Sequence, residues 1–139
     1  MKINMDMNSL LIDAMNEYLR AGLLMNLKKL DEMYDSEFEN IRVDPLGRTI
    51  VFSKADFMQQ FRAIRIEGKS LGPIDDAKFI STNCYGEYGS IIMTRVKGDR
   101  RLFYHFVWRK KDEQPLTIIR EFTFDEDLSN VINIVKNFR

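Results

Sequence analysis

The sequence predicts an α+β domain in which N-terminal helices pack on a curved, mostly antiparallel sheet that forms a cone, with a further C-terminal helix. Two patterns predict this class. Apolar residues recur at helical spacing as far as Gly68, and from Ala77 to Phe124 they alternate as in strands. The 139 residues contain no internal repeat and no low-complexity linker, so we expect a single domain over residues 1–139.

The composition argues against several classes of partner. Hydrophobic residues make up 45% of the chain, which is enough for a substantial core, and 21 Lys and Arg balance 21 Asp and Glu. A neutral chain with dispersed charges has no electrostatic reason to bind nucleic acid or an anionic membrane. Charges interrupt the N-terminal apolar runs, and the single cysteine, Cys84, cannot form an intramolecular disulfide. We therefore expect a cytoplasmic protein that binds neither nucleic acid nor a membrane.

Two helices and two strands are predicted at the N-terminal end. From near Asn8 to Ala21, the residues Leu11, Met15 and Tyr18 follow one another at spacings of four and three, which is typical of an amphipathic helix. A short second helix fits "LKKLDEMY". Strand-like alternation then begins in "FENIRVD", and after the turn "DPLG" the segment "RTIVF" is predicted to return as a second strand.

A third helix is predicted to open at "SKAD". Ser53 can cap it, and Asp56 lies three residues on, where a carboxylate favours the N-terminal end of a helix. We expect this third helix to end at Gly68. The apolar stripe consists of Phe57, Phe61 and Ile64. The following segment, "KSLGPIDD", is predicted to be a loop.

Long strands are predicted in the second half of the chain, followed by a helix. They are "GSIIMTRV", "RLFYHFVWR" and "PLTIIREFTF", with hairpin turns between them in "VKGDRR" and "KKDEQP". A last helix fits "DLSNVINIVKNF".

Alternation gives the strand "RLFYHFVWR" an aromatic face that contains Tyr104, Phe106 and Trp108. A two-residue turn at Gly98 and Asp99 would add Met93 opposite Tyr104 and Ile91 opposite Phe106. Such a face is the expected lining of a small-molecule pocket, and it is equally the lining of a plain core. The predicted pocket residues are Met15, Phe57, Phe61, Ile91, Met93, Phe106, Trp108 and, conditionally, Glu121.

The position of Glu121 depends on how the last strand pairs. A four-residue loop places Glu121 opposite Tyr104, and a slip of one residue places Phe122 there instead. The alternative for Glu121 is an outer-face carboxylate paired with a neighbour such as Arg95 or Arg120.

The opposite face of the same strand carries Phe103, His105 and Val107, and it is too apolar to be left in water. We therefore expect a homodimer that buries it, or a cover from the C-terminal helix. His105 is the only histidine, and no cysteine or second histidine lies near it, so no metal site is expected. The glycines are scattered singly at turns, so no phosphate-binding loop and no cofactor are expected.

This layout resembles the nuclear transport factor 2-like superfamily, which has a cystatin-like fold. The resemblance rests on two N-terminal helices, a short hairpin around "VDPLG", a third helix and a long-stranded sheet, and it covers nearly the whole chain. The superfamily includes ketosteroid isomerases and SnoaL-type polyketide cyclases. Because one fold hosts many activities, the resemblance implies the fold more strongly than a reaction.

The resemblance also implies candidate catalytic residues. Ketosteroid isomerases carry a catalytic tyrosine in the first helix, a general base at an "EDPVG"-like turn, and a protonated aspartate beside an "HF" in a late strand. Tyr18 matches the first by position, and Asp44 in "VDPLG" matches the second. The third falls on Tyr104 in "YHF", where the acid is missing.

Asp44 has an alternative role, because "DPLG" is a good type I turn in which the Asp side chain caps the backbone. Arg42 is predicted on the same strand face, where its charge would lower the pKa of Asp44 and weaken it as a base. Three functions therefore stay open. The chain binds a small apolar or aromatic molecule, catalyses an isomerase, cyclase or dehydratase reaction by proton transfer, or serves as an interaction module with a filled core.

Overall fold

The computed structural model describes residues 7–68, 76–124 and 128–138. The helices and strands are α1 Met7–Leu23, α2 Leu27–Met33, β1 Tyr34–Val43, β2 Thr49–Ser53, α3 Lys54–Ile66, β3 Lys78–Tyr85, β4 Tyr88–Lys97, β5 Arg100–Lys111, β6 Gln114–Phe124 and α4 Ser129–Phe138. The order of elements confirms the predicted α+β class. The loop predicted in "KSLGPIDD" lies, apart from Asp76, outside the described residues.

The strands form one six-stranded sheet in the order β2-β1-β6-β5-β4-β3. Neighbouring strands are antiparallel except β1 and β6, the second and third strands in this order, which run parallel. Strands β3 to β6 form a meander whose last strand, β6, lies beside β1 of the N-terminal hairpin. Helices α1 and α3 pack against one face of this sheet.

The start and end of α3 follow the predicted local signals. The Ser53 side chain accepts a hydrogen bond from the Asp56 backbone N–H at 3.2 Å, and the Asp56 carboxylate accepts one from the Ser53 N–H at 2.9 Å. This reciprocal pair is a capping box. Gly68 lies just beyond the helix with φ of 69°, a backbone conformation that glycine adopts without strain.

The hairpin between β4 and β5 confirms the predicted register. Lys97 pairs with Arg100 across the Gly98–Asp99 turn. Counting from this turn, Met93 lies opposite Tyr104 and Ile91 opposite Phe106, as the alternation predicts.

The pairing of β6 with β5 differs from both predicted registers. Glu121 lies opposite Phe106, and Thr123 lies opposite Tyr104. The turn itself is short, since Lys111 pairs with Gln114, but the register shifts twice further along, between Val107 and Trp108 and between Arg109 and Lys110. Each bulge inserts one extra residue into β6. The two together move Glu121 by two positions, so its side chain stays on the face that carries Phe106 and Tyr104.

The core lies between this face and the helices. Its largest fully buried side chains include Leu11, Leu30, Phe38 and Ile118. Helix α1 approaches β4 closely at Gly89, where an added Cβ would lie 3.1 Å from Leu11. Among the helices in the described ranges, none combines the length and apolar composition needed to cross a membrane.

Candidate functional site

A cavity of about 130 Å³ lies between the three N-terminal helices and strands β4, β5 and β6. Most of its wall is apolar and is formed by Leu19, Gly22, Leu23, Leu30, Phe61, Met93 and Phe106. The polar part of the wall consists of Tyr18, Arg95, Tyr104 and Glu121. An apolar wall with a few polar groups is typical of a small-molecule site.

The structure brings together six of the residues that the sequence singles out. Tyr18, Phe61, Met93, Tyr104, Phe106 and Glu121 all line this cavity. The outer-face alternative for Glu121 is wrong, because the residue is only 8% exposed and faces the helices. Its position opposite Phe106 follows from the double bulge in β6.

Four predicted pocket residues pack in the core and do not line this cavity. Met15, Ile91 and Trp108 are buried below the cavity wall, and the Trp108 Nε1–H donates to the Met15 sulfur at 3.3 Å. The ring of Phe57 packs against Phe38, with 5.3 Å between ring centroids. Met15 belongs to α1 and Phe57 to α3, and both pack in the core together with Ile91 and Trp108 of the sheet.

The hydroxyl of Tyr18 binds the hydroxyl of Tyr34 at 2.6 Å. Tyr34 is only 1% exposed, at the start of β1. Burial chiefly raises the pKa of Tyr18 well above its usual value, and the negative charge of Glu121 raises it further. Burial likewise raises the pKa of Tyr34, with smaller contributions from Tyr18 and Glu121. Both hydroxyls therefore stay protonated near neutral pH.

Two positive charges lie near this polar part of the cavity. The Arg42 guanidinium stacks over the ring of Phe52 at 5.0 Å and donates to Asn40 at 2.8 Å, and its charge lowers the pKa of Tyr18. Arg95 lies in the wall itself and reaches the carboxylate of Asp76 at 3.5 Å. The cavity thus combines a buried carboxylate with cations on two sides.

Asp44 is not part of this cavity. Its carboxylate accepts hydrogen bonds from the backbone N–H groups of Leu46 at 3.0 Å and Arg48 at 2.9 Å, and from the Arg48 guanidinium at 2.6 Å. It lines a second, more open recess of about 220 Å³ with Arg48, Arg100 and Ser129. The structure therefore does not bring Asp44 together with Tyr18 and Tyr104, and the cation beside it is Arg48 rather than Arg42.

We expect Asp44→Asn to destabilise the protein less than Asp44→Ala, because Asn keeps an acceptor for the two turn N–H groups. Burial raises the pKa of Asp44, but the hydrogen bonds and the charge of Arg48 outweigh this and lower its pKa below the usual value. A lowered folded-state pKa means that the stabilising effect is present above the unfolded-state pKa of about 4 and is lost as pH falls through the folded-state value.

Urea denaturation of wild type, Asp44→Asn and Asp44→Ala at neutral pH checks the order of stability, and wild type and Asp44→Asn are compared again near pH 3. The difference between the two proteins should shrink on acidification. A difference that grows at low pH would contradict the assignment of Asp44 as an ionised turn cap.

Some residues at or beside the site are not among the predicted pocket residues. Tyr34, the hydrogen-bond partner of Tyr18, is predicted at the end of the second helix, but it begins β1. Gly22 follows Tyr18 by four residues, and Leu19 and Leu23 follow Met15 and Leu19 by four, so the periodicity of α1 could have indicated them. Alternation along β4 predicts Arg95 on the face of Met93, opposite Leu102, and the structure has this pairing. Within the described residues, no group of three or more His, Cys, Asp or Glu side chains converges as a metal site.

The chain is similar in fold to several solved structures. No family model and no curated protein matches the chain. A nuclear transport factor 2-like protein from Cytophaga hutchinsonii ATCC 33406 is similar with a TM-score of 0.64 at 14% identity, covering 86% of this chain and 98% of that one.

The structures of two further proteins, both described as of unknown function, are similar to this chain to about the same degree. A nuclear transport factor 2-like protein from Silicibacter pomeroyi DSS-3 has a TM-score of 0.63 at 10% identity, covering 83% of this chain and 92% of that one. One from Shewanella oneidensis MR-1 has a TM-score of 0.61 at 12% identity, covering 85% and 98%. At these identities the likeness is one of fold alone. The chain thus has the nuclear transport factor 2-like fold, as its layout predicts.

Proposed function

We propose that the protein binds a small apolar or aromatic molecule in the cavity between α1 and strands β4–β6. The observation that supports this proposal is a cavity of about 130 Å³ with an apolar and aromatic wall. For comparison, an apolar protein cavity of about 150 Å³ binds benzene. The ligand is therefore about the size of one ring, much smaller than a fused-ring steroid.

The geometry favours binding over the Asp44-based proton transfer that the resemblance implies. That reaction needs a base within hydrogen-bond reach of the substrate. Asp44 lies in the other recess, and its oxygens already accept three hydrogen bonds. An interaction module with a filled core is not favoured either, because the cavity leaves room for a guest.

Titration with toluene, followed by protein NMR shifts, tests the proposal. We expect saturable shifts at residues of the cavity wall, such as Met93 and Leu30. Leu19→Trp should weaken binding at least ~10-fold, because the larger side chain occupies the cavity. The matched control is Leu24→Trp, since Leu24 is 64% exposed beyond the end of α1.

Two outcomes would contradict the proposal. One is the absence of saturable binding of toluene to the wild-type protein. The other is unchanged binding in a folded Leu19→Trp variant.

We also propose a homodimer formed through the outer face of the sheet, which is the face turned away from the helices. Its apolar residues lie on neighbouring strands and include Ile41, Val43, Val51, Ile92, Phe103, Phe122 and Phe124. Phe103 is 36% and Phe124 39% exposed. Helix α4 does not cover them, since its apolar side chains Val131, Ile132 and Val135 pack against the buried core.

A second copy of the chain is the partner that fits this face. In a twofold dimer each subunit contributes the same patch, so an apolar patch is complementary to itself. His105 lies within it beside Phe122, with 5.8 Å between ring centroids, and burial lowers the pKa of His105. The imidazole is therefore mostly uncharged near neutral pH, which suits an apolar interface.

A further inference from the structure

One residue in the polar part of the cavity, Glu121, can accept a hydrogen bond from a donor on the ligand. Glu121 is the one carboxylate that the described residues contribute to the wall, and its negative charge acts on both Tyr18 and Tyr34. An ionised carboxylate only accepts hydrogen bonds, and its two oxygens offer about four acceptor positions. It can therefore accept a bond from a ligand in addition to those it accepts from the protein.

The charges around Glu121 favour a ligand without net charge. Arg42 and Arg95 contribute two positive charges, whereas Glu121 and Asp76 contribute two negative ones. A charged guest would add an uncompensated charge to a largely apolar cavity, which is costly. A neutral guest with a donor gains the charge-assisted hydrogen bond without that cost.

The position of the Glu121 carboxylate beside the aromatic wall limits how far a ligand's hydrogen-bond donor can lie from the ligand's ring. Glu121 lies directly opposite Phe106 in the β5–β6 pair, with both side chains facing the cavity. Side chains in such a pair have Cβ atoms about 5 Å apart. The rings of Phe106 and Tyr104 are stacked, with 6.5 Å between centroids, and form the adjoining aromatic wall. Because the cavity of about 130 Å³ has room for about one ring, a guest that contacts both this wall and Glu121 fits best with its donor directly on the ring.

We propose that the ligand is a neutral single-ring molecule with a hydroxyl attached to the ring, a phenol, whose O–H donates to Glu121 while its ring packs on Phe106. This inference rests on the proposed function, and it specifies the ligand class for the same cavity. Phe61 and Leu30 enclose the ring from the helix side.

Four probes of similar size separate the alternatives in the wild-type protein: phenol, toluene, benzoate and benzylammonium. We expect phenol to bind at least ~10-fold more tightly than toluene, because a hydrogen bond to a charged group is among the stronger ones in proteins. Benzoate and benzylammonium should bind more weakly than toluene. Calorimetry or NMR titration measures all four under one condition.

The variant Glu121→Gln keeps the shape and removes the charge. The preference for phenol over toluene should fall at least ~5-fold, while the affinity for toluene changes less than ~2-fold. Glu87→Gln is the matched control, since Glu87 is exposed in the turn between β3 and β4. If Glu121→Gln does not fold, the four-probe series on the wild type still decides the question.

The possible results distinguish this inference from the proposed function. Saturable toluene binding without a preference for phenol would overturn the phenol assignment and leave the cavity as an apolar binding site. Tightest binding of benzoate would overturn it in favour of anion recognition by Arg95. Failure of all four probes to bind would overturn both.

Discussion

Replacing Tyr34 by alanine is expected to lower the free energy of unfolding by about 3–5 kcal/mol, the usual cost of truncating a fully buried aromatic side chain. Tyr34 is 1% exposed and occupies the centre of an aromatic cluster. Its ring centroid lies 4.5 Å from that of Phe38, 5.8 Å from Phe57 and 5.6 Å from Tyr18. Because this cluster joins β1 to α1 and α3, the loss of the ring leaves a space that three elements share.

Tyr34→Phe is the matched control, since it removes only the hydroxyl that binds Tyr18. We expect it to cost about 1 kcal/mol, the net contribution of one hydrogen bond. Urea denaturation at neutral pH measures both variants. If the free energy of unfolding of Tyr34→Ala lies within about 1 kcal/mol of the wild-type value, the ring is not packed as tightly as a buried aromatic side chain should be. That result would contradict the packing described for this cluster.

Replacing Phe103 by glutamate is expected to convert the proposed homodimer into a monomer, with the dissociation constant raised ~100-fold or more. Phe103 lies opposite Phe124 on the outer face, so the twofold axis brings two copies of the new charge into one apolar interface. Loss of a central aromatic contact commonly costs 2 kcal/mol or more, and the buried like charges add to that cost. Light scattering coupled to size-exclusion chromatography gives the mass of both proteins.

The control for charge alone is Ile66→Glu, because Ile66 is 86% exposed at the end of α3, away from the sheet. It should leave the mass unchanged. A wild-type protein that is monomeric at tens of micromolar, or a Phe103→Glu variant that stays dimeric, would contradict the proposal.

Local patterns in the sequence determined the elements and most of the faces. Helical spacing defines α1, and the Ser53–Asp56 capping box defines the start of α3, because both depend on residues within one turn of each other. The Gly98–Asp99 turn fixes the β4–β5 register for the same reason. These signals also placed Tyr104, Phe106 and Met93 on the face that lines the cavity.

Only the tertiary structure decided which of these residues meet and where a guest can bind. The two bulges in β6 set the position of Glu121, and they depend on how β6 fits between β5 and the parallel strand β1. The Tyr18–Tyr34 hydrogen bond joins residues 16 positions apart, and Arg48 rather than Arg42 binds Asp44. Trp108 and Phe106 share one strand face, yet Trp108 packs against Met15 of α1 in the core, whereas Phe106 lines the cavity. Alternation assigns a side chain to a face, but the packing of helices on that face determines whether the side chain fills the core or borders an open space.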